Sequence, residues 1–97
     1  MDRITRKHLE IEITKINEAL KNIPEFLEYE VGDYRSYEHL YSIEIRKKET
    51  GGAKVHHSFD GLRNAFNYAK RLNKLLHNDL ITVKTFKDIE EVFYMAK

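Results

Sequence analysis

Cysteine is absent from these 97 residues, which excludes a disulfide framework and any zinc site built on thiolates, and fits a reducing cytoplasm. One proline and four glycines leave few breaks in regular structure. An apolar fraction of 41% beside 34% charged residues describes an ordinary folded chain and not a disordered one. No run of about eighteen apolar residues occurs, so no membrane span is expected. Met1-Asp2-Arg3 leads straight into a charged helix, and no secretory signal is expected. The length suits one domain, residues 1–97, with a single core.

Signatures of chemistry are also scarce. Ser36, Ser42 and Ser58 are the serines, and none stands in a GxSxG context. Gly51-Gly52 lacks the lysine and the spacing of a phosphate loop. Of the histidines His8, His39, His56, His57 and His77, the adjacent pair His56 and His57 would point to opposite faces of a strand and could not share an ion. His8 and Glu12 share a helix face without the HExxH spacing. Glu90-Glu91 and the pair Glu28 and Glu30 occupy ordinary solvated positions. The expectation is a protein without a metal, cofactor or catalytic role, which acts by binding.

What is present is organised around Leu40 to Leu76. Tyr41, Ile43, Ile45 and Lys47 alternate with polar residues, as do Val55, His57 and Phe59, which is the period of a strand. A two-residue Gly51-Gly52 turn would scatter the apolar set over both faces. A three-residue loop, Thr50 to Gly52, pairs Ile43 with Phe59, Ile45 with His57 and Lys47 with Val55, and leaves one face apolar. The other face would carry Glu44, Arg46, Lys48, Lys54, His56 and Ser58. A helix follows, capped by Ser58 or Asp60. Leu62, Ala65, Phe66, Ala69, Leu72 and Leu76 form its buried side, with Arg63, Asn64, Asn67, Lys70, Arg71 and Lys74 opposite.

Before this unit, Leu9, Ile13, Ile16, Leu20 and Ile23 recur at heptad spacing on a helix capped by Asp2 or Thr5 and ended by Asn22 and Pro24. Burial against the rest of the chain explains such a seam. Pairing of two copies through Leu9, Ile13, Ile16 and Leu20 is the sharper reading. Leu27, Tyr29 and Val31 suggest a short strand closed by a Gly32-Asp33 turn. After the central unit, Leu80 to Lys84 suggests a further strand. Thr85 with Asp88 resembles a capping box for a last helix carrying Phe86, Ile89, Val92, Phe93 and Ala96. The order α-β-β-β-α-β-α predicts an α+β domain, an antiparallel sheet of three or four strands with helices on one face.

The formal net charge of +1 hides two poles. Glu25 to Glu44 holds Glu25, Glu28, Glu30, Asp33, Glu38 and Glu44 against Arg35, a net of −5. Arg46 to Asn78 holds Arg46, Lys47, Lys48, Lys54, Arg63, Lys70, Arg71 and Lys74 against Glu49 and Asp60, a net of +6. The acidic stretch is dense in tyrosine. Glu28, Glu30, Asp33, Tyr34, Tyr37, Glu38, Tyr41 and Glu44 could dock on a basic protein surface, carboxylates standing in for phosphates. The alternative is phosphate binding by the eight bases of the second stretch. Helix, three strands and helix resembles the double-stranded-RNA-binding domain. However, Asp60-Gly61-Leu62-Arg63 puts an acid and one base where that family has lysines, and no RNA-binding residues carry over.

The opening ITRKHLEIEITKINEAL resembles the start of small phage and prophage proteins, which share a Thr-Arg-Lys, Leu-Glu, Ile/Leu-Asn helix, and the Gly51-Gly52 hairpin is similar to a GG turn in some of them. That resemblance implies a phage accessory protein in the host cytoplasm. It suggests an inhibitor that blocks a host defence nuclease, as anti-CRISPR and other anti-defence proteins do, by protein binding through the acidic surface.

Overall fold

Thr5 opens the first helix, α1 (Arg6–Lys21), in the computed structural model, which describes residues 3–37, 40–78 and 88–97 and only the backbone of 34–37. The Thr5 backbone N–H donates to Nδ1 of His8 at 2.9 Å, so a histidine takes the place that glutamate holds in the usual capping box. Leu9, Ile16 and Leu20 are fully buried and Ile13 nearly so. The heptad seam is thus core of this chain. Pairing of two copies through Leu9, Ile13, Ile16 and Leu20 is corrected, because those side chains are already covered by their own fold. Asn22 ends the helix, and a single 3-10 turn, Pro24–Phe26, buries Phe26.

Three strands follow, β1 (Tyr29–Tyr37), β2 (Leu40–Lys47) and β3 (Ala53–Asp60), antiparallel in the order β1-β2-β3. Val31, Ile43 and Ile45 are buried on one face, with Tyr41, Val55 and Phe59 partly so. Against this face lie α1, over β1, and α2 (Leu62–Leu76), over β2 and β3. A last described helix, α3 (Ile89–Met95), packs on α2 and buries Ile89, Val92 and Phe93. The expected α+β architecture is the observed one. The strand expected at Leu80 to Lys84, with Thr85 and Phe86, lies outside the described residues.

Several local expectations are corrected. The strand β1 runs straight through Gly32-Asp33 instead of turning there. At Gly32 an added Cβ would meet the Arg46 guanidinium on the next strand, which would have to shift away. In the central hairpin Ile43 pairs with His57 and Ile45 with Val55, two residues away from the expected register. An even offset keeps the residues from Val55 onward on their expected faces, which is why period two was a sound guide to faces but not to partners. The loop is Lys48–Gly52: Gly51 N–H donates to Lys47 O at 2.8 Å, and Lys47 N–H to Gly52 O at 3.2 Å. Gly51, at φ 71°, takes the left-handed residue.

Pairing then jumps from Ile45↔Val55 to Arg46↔Ala53, leaving Lys54 as the extra residue of a bulge. The bulge turns Lys54 off the outer face, and its ammonium donates to the Tyr29 hydroxyl at 3.0 Å. That hydroxyl is the main reason the Lys54 pKa rises above its ordinary value; burial opposes the rise, and Glu90 supports it. Because β3 reaches Asp60, neither Ser58 nor Asp60 caps α2. Gly61, at φ 89°, turns the chain into the helix. Asp88 caps α3 directly, accepting from the Glu91 N–H at 3.2 Å.

One side chain fixes how α1 sits on the sheet. The amide of Asn17 donates Nδ2–H to Val31 O at 2.9 Å and accepts from Val31 N–H at 2.8 Å. Both polar groups of an edge residue are satisfied by a helix, which also closes that stretch of edge to another strand. Asn17→Ala leaves both groups without these partners and should destabilise the fold by about 1–3 kcal/mol. Asn22→Ala, which loses only an exposed 3.3 Å bond to Glu18 O, should stay within about 0.5 kcal/mol. Urea unfolding of the two variants makes the comparison.

Candidate functional site

The two charged poles fare differently once the chain is folded. Of the acidic set, Glu30 and Glu44 share the outer sheet face and are held by one cation. Arg46 donates Nε–H to Glu30 at 3.2 Å and Nη1–H to Glu44 at 3.0 Å. Asp33 points to the opposite, helix-covered face, where one buried carboxylate oxygen lies 3.9 Å from the Arg6 guanidinium, too far for a hydrogen bond. Tyr41 is half-buried against the core. Glu28 is exposed ahead of β1. The side chains of Tyr34 and Tyr37 and the whole of Glu38 lie outside the description. The described members of the set are therefore divided between two faces.

The basic set is also divided, but part of it converges. Arg46 is engaged with two glutamates, Lys54 with Tyr29 and Glu90, and Lys47 and Lys48 stand exposed at the hairpin end. Arg63 is exposed in the first turn of α2. Lys70, Arg71 and Lys74 line a groove of about 560 Å³ between α1 and α2, together with Lys15, His77, Asn67, Asn73 and Glu12. Lys70 and Lys74 are one helical turn apart, so both ammonium groups leave the same stripe of α2.

The groove is built from its floor. Asn73 is 7% exposed and ties the two helices, donating Nδ2–H to Glu12 O at 3.2 Å and to Glu12 Oε1 at 3.1 Å. Lys15 sits 3.6 Å from the other Glu12 oxygen. The one acid of the groove is thereby occupied. At the far end His77 donates Nδ1–H to Asn73 O at 2.8 Å, leaving Nε2 outward. Arg71 donates Nε–H to Ala96 O at 2.7 Å, which pins the guanidinium beside α3. Lys70 lies over the Phe66 ring at 5.5 Å. Neither Lys70 nor Lys74 has an ion-pair partner among the described residues.

Neither Lys15 nor His77 belongs to the basic set that the sequence singles out for phosphate binding. Lys15 belongs to a helix whose position beside α2 no local pattern reveals. Asn73 did carry a signal: an amide inside the apolar stripe of Leu72 and Leu76 marks a polar contact between buried elements.

His57 is part of the core. Its ring is 5% exposed, stacks on Phe93 at 4.7 Å, and meets Tyr68 and Tyr94 edge-on. Burial keeps the Tyr68 phenol protonated far above its usual range, and its hydroxyl donates to Phe93 O at 2.6 Å. His56 is exposed on the opposite face. Among the described residues no cluster of three or more histidines and carboxylates could hold a metal ion. No described helix is long and apolar enough to cross a membrane. Compared with family models, curated proteins and solved structures, the chain matches none.

Burial first, then the positive charges of Lys97 and His56, lower the His57 pKa below its ordinary 6.5; the Phe93 carbonyl works in the other direction. With the folded value below the unfolded one, the unfolded chain binds more protons between the two, and stability there rises with pH. The contribution of His57 should hold above pH 6.5 and be lost as pH falls toward its folded value. Thermal melts across that range should show His57→Phe losing less stability on acidification than the natural chain.

Proposed function

We propose that this chain works by binding and not by catalysis, and that the groove between α1 and α2 receives the phosphate backbone of a nucleic acid. The observation that carries this reading is the convergence of Lys15, Lys70, Arg71 and Lys74, from two helices, on one groove whose single carboxylate is already engaged. A row of cations displaces the counterions condensed along a polyanion, and their release drives association. Contacts of this kind hold a backbone without reading bases. Binding is accordingly expected to be weakly dependent on sequence and strongly dependent on salt.

The rival proposal, suggested by the resemblance to phage accessory proteins, is inhibition of a host defence nuclease through the acidic, tyrosine-bearing segment. It has less support, because Arg46 holds Glu30 and Glu44 and Asp33 faces the helices. Fluorescence anisotropy with labelled single-stranded and duplex oligonucleotides separates the two. Engagement of three or four cations gives a log-log salt slope of about −3. Lys70→Ala/Lys74→Ala should weaken binding at least about tenfold and flatten the slope by about two, with Arg63→Ala much closer to the natural chain. No binding at low salt, or a double variant that binds as well as the natural chain, sinks the groove. Capture of a nuclease-resistant protein partner by way of Glu30 and Glu44 would favour the rival.

A further inference from the structure

We infer that His77 is a further phosphate ligand of the groove, beside Lys15, Lys70, Arg71 and Lys74, and that it takes up a proton when the polyanion binds. The groove then holds nucleic acid more tightly as pH falls through the neutral range. This role rests on the groove being a phosphate site, as proposed above, and adds the proton as a second ligand of that site.

The tautomer of His77 is set by its neighbour. Asn73 O is a carbonyl and can only accept, so the 2.8 Å contact with Nδ1 requires a hydrogen on that nitrogen. In the neutral ring Nε2 is then bare, an acceptor on the side away from the α2 backbone. A phosphodiester oxygen is also only an acceptor, and two lone pairs at contact distance repel. Protonated, the same Nε2 becomes a charged donor, and an N–H bond of that kind to phosphate is among the strong ones. A single proton thus turns this position from one that repels the ligand into one that holds it.

Helical spacing puts His77 where a backbone held by the lysines would pass. Lys70, Lys74 and His77 step by four and three, which sets them on one stripe of α2 and its C-cap. At the rise of a helix the stripe is about 10 Å long, close to the axial length of about three phosphates on one strand. The charged groups around His77, among the described residues, are those that line the groove with it: Glu12 and Lys15 from α1, and Lys70, Arg71 and Lys74 from α2. Lysine and arginine keep their charge near neutral pH, and Glu12 is held by Asn73 and Lys15. A phosphate backbone lying across these cations cancels their repulsion toward a further positive charge and adds its own negative charge. The ring therefore gains proton affinity on binding, and by linkage the proton raises phosphate affinity by the same factor.

Fluorescence anisotropy with one labelled DNA duplex, at constant ionic strength and between about pH 6 and 8, reads the effect. The natural chain should bind at least about tenfold more tightly at the acid end. His77→Gln keeps a donor for Asn73 O but carries no charge, and should bind throughout as weakly as the natural chain does at the alkaline end. His77→Arg, charged throughout, should bind at the alkaline end about as tightly as the natural chain does in acid. His56→Gln, on the outer sheet face, should keep the natural pH dependence. Circular dichroism at the acid end checks that each variant is folded, since His57 acts on stability in that direction. Ring NMR gives a readout apart from affinity: the His77 titration should move to higher pH with the duplex in excess. Equal affinity across the range overturns this role and leaves the groove as a phosphate site indifferent to pH. So does a pH dependence that survives in His77→Gln, or a His77 titration that the duplex leaves unmoved. Absence of binding at every pH overturns the groove and this role together.

Discussion

A single amide, Asn17, sets the relation between the helices and the sheet. By bonding both backbone groups of Val31, it prevents α1 from sliding along β1 or rotating about its own axis. Once that rotation is set, Leu9, Ile16 and Leu20 turn inward. Lys7 and Ile11 turn to solvent, and Lys15 turns toward α2. Hydrophobic burial alone is non-directional and would tolerate a small rotation. Two hydrogen bonds at 2.8 and 2.9 Å do not.

The remaining layers follow from that placement. Asn73 joins α2 to α1 through Glu12, and Tyr68 joins α2 to α3 through Phe93 O. His57 fills the space between them as a neutral aromatic ring, stacked on Phe93. A near-neutral chain acquires a basic groove because its carboxylates are spent elsewhere. Glu30 and Glu44 are drawn to Arg46 on the outer sheet face, Asp33 to the Arg6 end of α1, and Glu12 to Lys15 and Asn73. Charge balance counted along the sequence therefore differs from charge balance on the surface.

Much of the fold was legible because its cause is local. Period two gave the apolar face of β2 and β3, and spacing at three and four gave the buried side of α1 and most of that of α2, where the fully buried Tyr68 was not foreseen and Leu62 and Phe66 are only partly covered. The class followed from the order of elements. Contacts between elements were not legible. The hairpin register differs by two, with Gly51 in the left-handed conformation and Lys48 N–H donating to Glu28 O just ahead of β1. Gly32 read as a turn because a glycine that yields space to a guanidinium looks the same in sequence. Lys70, Arg71 and Lys74 were visible as one helical stripe. That Lys15 and His77 complete their groove depends on the packing of α1 against α2, which neither helix encodes alone.

The surplus residue in the central hairpin has a consequence for how this chain can vary. With Lys54 removed, Ile45↔Val55 and Arg46↔Ala53 would become consecutive rungs of a regular ladder, and every residue after Val55 would keep its facing. That arm can shorten by one without inverting the strand that carries His57 and Phe59. A second deletion in the same arm would have no surplus residue to absorb it and would put the residues on one side of it on the opposite face, so tolerance to shortening should end after one residue.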